Sequence, residues 1–138
     1  MTQILLDTNI ISELGKAKPQ QSVTDFLADL PVAWLSTITL HELEYGLALL
    51  PEGNRKKAIT DAISTLVKNY SHNILSIKQE EAQQAALLRV LARKNGKTLH
   101  LADSLIAGTA QVHNLMIATR NTKDFDNLGI KLINPFIL

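Results

Sequence analysis

Four acidic residues stand where acids could work jointly: Asp7, Glu42, Asp103 and Asp124. Asp7 closes the apolar run Ile4-Leu5-Leu6, Glu42 follows Ile38-Thr39-Leu40-His41, and Asp103 follows Leu101-Ala102. Asp124 lies in Thr119-Arg120-Asn121-Thr122-Lys123-Asp124-Phe125, where Asn121 offers a further side-chain oxygen. Carboxylates gathered at one point repel one another unless a hard cation sits between them. An oxygen-only set suits Mg²⁺ or Mn²⁺ better than Zn²⁺. A metal held in this way would act as a Lewis acid and lower the pKa of a bound water.

Each acid taken singly also has a local reading. Asp7 precedes a helix and would cap its first turn. Thr39 and Glu42, three apart, read as a capping box, which sets Glu42 in the first turn of its helix. Asp103 has Leu99, Ile106, Ala107 and Ala110 as neighbours at helical spacing, so it falls within a largely apolar face. An unpaired carboxylate is costly there and calls for a cation; the local alternative is the cap of a helix that begins later. Asn121 reads equally as an Asx-turn and Asp124 as a cap. His41 and His100 adjoin two of the acids, but neighbours on a helix are about 100° apart, so His41 points away from Glu42 and histidine ligation is not expected. His72 and His113 read as helix-end residues.

The elements that must position these acids follow from patterning. Apolar, β-rich runs alternate with helical periodicity, as in a parallel sheet covered by helices. Strands are expected at Ile4–Leu6, Val32–Thr37, Ile74–Ile77, Leu115–Thr119 and Lys131–Ile133, the alternation of the second being imperfect at Trp34 and Leu35. Helices are expected at Asn9–Leu14, at Val23–Leu30 before Pro31, and along the stripe Leu40, Leu43, Leu47, Leu50 before Pro51. Three more follow at Arg55–Tyr70, at Gln79–Lys94 with Asn95-Gly96 as its stop, and at Leu99–His113. In open sheets of this kind ligands bind outside the carboxyl ends of the strands. Each acid falls at a strand end or a helix start on that edge.

With 138 residues, 46% of them hydrophobic, the chain is sized for one domain with a substantial core, and it shows neither a repeat nor a low-complexity linker. The absence of cysteine excludes disulfides, thiolate metal sites and cysteine nucleophiles. No apolar run approaches the ~18 residues of a membrane span and no secretory signal opens the chain, so a cytoplasmic protein is expected. A net charge of +1 argues against a protein that coats nucleic acid nonspecifically. Cations gather instead at Arg55 to Lys57, at Arg93 to Lys97, and at Arg120 and Lys123. One Trp, two Tyr and three Phe leave little for a base-stacking platform.

The motifs Ile4-Leu5-Leu6-Asp7-Thr8-Asn9, Ile38 to Leu43 with Gly46, Ala102-Asp103-Ser104-Leu105-Ile106-Ala107, Ala118 to Phe125 and Asn134-Pro135-Phe136 occur in the order and spacing of the PIN-domain nucleases. The whole chain resembles that family, and within it the VapC and FitB branch of type II toxins. The resemblance implies an α/β fold, PIN-like, with three α/β/α layers and a central, mostly parallel sheet. It also implies a metal-dependent endoribonuclease that leaves 5′-phosphate and 3′-hydroxyl ends. Its expected partners are RNA, a cognate VapB/FitA-like antitoxin and a second copy in a homodimer, with operator DNA reached only through the antitoxin. Carried over position by position, it makes Asp7, Glu42 and Asp103 ligands of Mg²⁺ (or Mn²⁺). Family members place the fourth acid at the position of Asn121 or of Asp124; here the acid is Asp124, which is favoured. Thr8, Asn9, Thr119 and Asn121 would orient the carboxylates, and Arg120 and Lys123 would meet RNA.

Two other readings compete. A phosphatase with Asp7 as nucleophile calls for a second acid two residues on, where this chain has Asn9. A noncatalytic PIN-like module acting with an antitoxin on operator DNA has no need of Asp7, Glu42 and Asp103 together. The apolar faces of Phe26–Leu30 and Leu40–Leu50 are candidates to receive the antitoxin in a groove.

Overall fold

A computed structural model describes residues 3–138. The chain runs through β1 (Ile4–Leu6), α1 (Thr8–Leu14), α2 (Gln21–Ala28), β2 (Ala33–Ser36), α3 (Thr37–Leu49), α4 (Asn54–Asn69) and β3 (Ile74–Leu75). It continues through α5 (Gln79–Lys94), α6 (Leu101–Val112), β4 (Met116–Ala118), a 3-10 turn at Thr122–Phe125, β5 (Leu132–Ile133) and a last 3-10 turn at Pro135–Ile137. The strands form one sheet in the order β3-β2-β1-β4-β5, and every pairing is parallel. Ile4 stands opposite both Ala33 and Met116, which fixes the register around the central strand.

A parallel sheet with helices on both faces needs strands that are apolar on both sides. β1 meets that requirement with Ile4, Leu5 and Leu6, all buried. Successive side chains point to opposite faces, so Leu6 enters a core with Ile10, Ile11, Val23, Leu43 and Ile63, while Leu5 enters another with Ile106, Ala107, Ile117 and Phe125. α1 to α4 thus cover one face, and α5 with α6 the other. The irregular pattern of β2 has the same explanation: Leu35 is buried in the first core, and Trp34 packs against the second while donating its indole N–H to Gln3 at 2.8 Å.

Several expected boundaries move. Val32 is exposed and Thr37 already helical, so β2 is shorter than its apolar run. α6 begins at Leu101, because Leu99 is drawn into the core and His100 keeps an extended backbone. The capping box expected at Thr39 and Glu42 is absent. Ser36 caps α3 instead, its hydroxyl accepting from the Ile38 amide at 3.2 Å, which places Thr39 inside the helix and buries it. Of the leucine stripe, Leu43 and Leu47 are buried, whereas Leu40 and Leu50 are only half-buried.

α5 and α6 pack as an antiparallel pair at closest approach around Gly108, where a Cβ would lie 2.8 Å from the Ala85 nitrogen and the Glu81 carbonyl oxygen. The buried Glu81 carboxylate fastens the far end of the pair. It accepts from the Lys78 amide at 2.9 Å and bonds His113 Nε2 at 2.8 Å. Among the described residues no helix is long and apolar enough to cross a membrane.

Candidate active site

The carboxyl edge of the sheet begins with Asp7, whose amide extends the ladder by donating to the Ala118 carbonyl at 2.9 Å. Its backbone is extended, and Oδ1 accepts from the Thr8 amide at 2.7 Å, so Asp7 does cap α1. The cap leaves Oδ2 to take hydrogen bonds from the Thr119 hydroxyl at 2.8 Å and the Asn9 amide group at 3.2 Å. The residue is only 5% exposed. Burial raises its pKa above the ordinary aspartate range, against the pull of those donors and with a further push from Glu42.

Glu42 reaches the same edge from the second turn of α3. Its Oε1 accepts the Thr8 hydroxyl at 2.6 Å, and the buried Thr39 hydroxyl stands 3.3 Å from that of Thr8. Thr8 therefore holds an acid of α3 beside the start of α1. Asp103 comes from the opposite layer, in the first turn of α6. Its pKa is pushed up to about 6 by burial, then by the charges of Asp7, Asp124 and Glu42, with His100 acting the other way. Asp124, exposed in the 3-10 turn after β4, completes the group of acids facing Asp103.

Asn121 makes no side-chain cap on that turn, so the Asx-turn expected there is not formed. The buried Thr119 serves instead: its hydroxyl oxygen accepts from the Asn121 amide at 3.0 Å while its proton goes to Asp7. Arg120 behaves differently from its sequence neighbours. Its amide donates to Asn9 Oδ1 at 3.1 Å, but the guanidinium lies over the Phe136 ring at 4.8 Å, so its charge is directed toward the last turn. Lys123 is exposed and has no ion pair among the described residues. The sequence signals that brought out Thr8, Asn9 and Thr119 missed Thr39 in this role, because its spacing from Glu42 reads as a local cap while its hydroxyl in fact meets that of Thr8.

Among the described residues, no three His, Asp or Glu side chains converge tightly enough to enclose an ion as they stand. The donor chemistry fits a hard divalent cation all the same. It offers carboxylate oxygens only, and two of the carboxyls, Asp7 and Asp103, are held above their usual pKa by burial and by neighbouring acids, a strain that a cation among them relieves.

Residues 4–131 match the PIN domain. The chain belongs to the PIN-domain family. Within that PIN-domain family it is 35% identical over 136 residues to VapC ribonuclease Y4jK of Sinorhizobium fredii, covering 96% of this chain and 97% of the relative. It is also 35% identical to Toxin FitB of Neisseria gonorrhoeae, over 96% of this chain and 98% of that one. The solved FitAcB of Neisseria gonorrhoeae superimposes with a TM-score of 0.89 at 36% identity, spanning 98% of this chain and 99% of the other. DNA-bound VapBC of Salmonella typhimurium gives 0.77 at 25% identity, spanning 98% and 99%. The five-stranded parallel sheet with six helices is the PIN-like architecture.

Proposed function

We propose that this PIN domain is a metal-dependent endoribonuclease, the toxin of a type II toxin–antitoxin pair, acting as a single domain over residues 1–138. The observation that carries the reading is the placing of four carboxylates, from the end of β1, α3, α6 and the turn after β4, on one edge of the sheet, with Asp7 and Glu42 both bonded to Thr8 and the charges of Asp7, Asp124 and Glu42 all acting on Asp103. The relatives support it: besides the VapC ribonuclease above, a tRNA(fMet)-specific endonuclease VapC of Shigella flexneri is 27% identical over 94% of this chain. Asp7, Glu42, Asp103 and Asp124 are the residues to hold Mg²⁺ or Mn²⁺. When bound, such an ion supplies charge neutralisation at the phosphate and a water of lowered pKa.

The protein's own part is orientation. Thr8 fixes Glu42 Oε1, and Thr119 with Asn9 fixes Asp7 Oδ2, so both carboxylates present a set direction before substrate arrives. Lys123 offers its ammonium to the RNA strand, and Arg120 enters only by leaving the Phe136 ring. By likeness to the FitAB and VapBC complexes, the partner is a VapB/FitA-like antitoxin, which alone carries the complex to operator DNA. We place the enzyme in the cytoplasm, as a homodimer.

The test incubates purified protein with single-stranded and structured RNA in Mg²⁺, in Mn²⁺ and in EDTA. Cleavage is expected with either metal and none in EDTA. RNA left intact under every metal condition, with a phosphomonoester hydrolysed instead, would sink the nuclease reading in favour of the phosphatase. In the same assay Asp124→Asn is expected to raise the Mn²⁺ concentration needed for half-maximal cleavage by about tenfold or more, and Asn121→Ala much less. The opposite order would transfer the fourth position to Asn121.

A further inference from the structure

α5 ends on the same side of the molecule as the acids, because it runs antiparallel to α6 and Asp103 occupies the first turn of α6. The connection between the two helices, residues 95–100, folds back there: the Lys97 amide donates to the Ala92 carbonyl at 2.9 Å, and Leu99 turns into the core. This leaves a cleft of about 460 Å³ between the last turns of α5 and the connection. Leu99, Val90 and Ala86 supply its apolar lining, and Arg89, Arg93 and Lys97 its charge, with no acid among the lining residues.

Crowding three cations at one cleft is unfavourable without an anion. Arg89 and Arg93 are one helical turn apart on one face, and neither is ion-paired among the described residues. Lys97 reaches only Asp126, at 3.7 Å. Favourable interaction with a helix C-terminus accounts for Arg93 and Lys94 in the last turn. It accounts neither for Arg89, a turn earlier, nor for Lys97, beyond the helix. The Lys97–Asp126 contact also ties the cleft to the loop that carries Asp124.

We infer that this cleft is a binding site for single-stranded RNA, holding the phosphates of the strand that leads away from the acidic centre while a sugar or base edge lies against Val90 and Ala86. The assignment rests on the nuclease reading for its substrate class. A duplex is the poorer occupant, since its base faces are stacked and cannot use the apolar lining. Both sites lie on one edge of the molecule, so an acidic centre that by itself repels RNA is supplied with strand by the basic cleft beside it.

The test reads fluorescence anisotropy of an end-labelled single-stranded RNA in EDTA, where no cleavage intervenes, across a series of salt concentrations. The full chain is compared with an Arg89→Ala/Arg93→Ala double variant and with Lys131→Ala, which removes an exposed cation just before β5 at the opposite end of the sheet. All three positions are exposed, so the folded state is expected to survive, as the far-ultraviolet spectrum and melting temperature will report. The double variant is expected to bind about tenfold more weakly, its salt slope reduced by about 0.7 for each phosphate it no longer neutralises, with Lys131→Ala unchanged. In Mg²⁺ the same variant should raise KM with kcat little altered. Unchanged affinity and slope in the double variant overturn the cleft assignment, and so does a wild-type chain that binds no RNA. RNA bound through Arg89 and Arg93 but never cleaved with any metal keeps the cleft and removes the nuclease reading.

Discussion

Asp103→Asn is expected to lower metal-dependent cleavage by about a thousandfold and, in the absence of divalent cation, to raise the melting temperature of the same protein. The two effects have one cause. Asp103 is half-buried beside Asp7, Asp124 and Glu42, and its carboxyl is pushed up to about 6 because the ionised form is poorly solvated there and is repelled by the other acids. An amide of the same shape removes that repulsion, but it supplies one neutral oxygen where a ligand charge is needed, and the loss of several kcal/mol of transition-state stabilisation is a factor of about a thousand. The gain in stability is on the order of 1 kcal/mol, less than the pKa displacement alone suggests, because solvent still reaches this half-buried group and screens it. That corresponds to roughly 4 °C in melting temperature.

The sign of the pH dependence follows from the direction of the shift. The folded-state pKa of Asp103 lies above its unfolded value, so its contribution to stability is fully present below the unfolded pKa and is lost as pH rises through about 6. The melting gap between variant and wild type should therefore be full above about pH 7 and close as pH falls through 6 toward 4. Glu13, held low by Lys16, and Glu81, held low against its burial by its own amide, the Lys78 amide and His113, work the other way. Their contributions fade as pH falls below the ordinary glutamate range, so the window from 7 down to 5 isolates the acidic centre. Added Mn²⁺ should raise the melting temperature of the wild type and leave that of the variant nearly unmoved. A variant that melts no higher than wild type at pH 7.5 without metal, or that cleaves RNA at the wild-type rate, would remove Asp103 from the centre.

The edge on which this centre sits was readable from sequence because buried parallel strands leave so little ambiguity. Ile4 to Leu6 cannot be anything but covered on both faces, and Asp7 at its end must then emerge at the carboxyl edge. α5 was equally legible, bounded by Lys78 before it and Asn95-Gly96 after it. The start of α3 was not. Ser36, Thr37 and Thr39 are all hydroxyl residues able to cap, and the local pattern favoured Thr39 because Glu42 lies three positions on. Tertiary structure decided otherwise: Ser36 already ends β2 with an extended backbone, and the Thr39 hydroxyl is turned toward Thr8 on another element. Arg120 shows the same limit, since adjacency to Thr119 in sequence says nothing about a ring 16 positions later that holds its guanidinium. The grouping of Arg93 with Lys97 was visible, but the backward fold of residues 95–100 that sets both beside Arg89 at one cleft was not.

Gly108→Ala is expected to destabilise the chain by about 2 kcal/mol, although alanine in a helix interior ordinarily gains up to about 1 kcal/mol over glycine. The added methyl would stand 2.8 Å from the Ala85 nitrogen and the Glu81 carbonyl oxygen and 3.1 Å from the Ala85 Cα. These are backbone atoms of α5, which no rotamer change can move aside, so the two helices must part. Parting them stretches the 2.8 Å contact between Glu81 and His113 and carries Asp103 on α6 away from Asp7 and Glu42. A displacement of about 1 Å at a reacting centre is worth roughly a hundredfold in rate, so cleavage should fall even at temperatures where the variant remains folded. Gly46→Ala is the comparison: on α3 a Cβ there meets nothing within 4 Å, so the ordinary helical gain should appear. Urea unfolding of the two variants beside the wild type separates the cases. Gly108→Ala unfolding at or above the wild-type midpoint would show that α5 and α6 do not touch at this glycine, and the route by which the helix pair positions Asp103 would have to lie elsewhere.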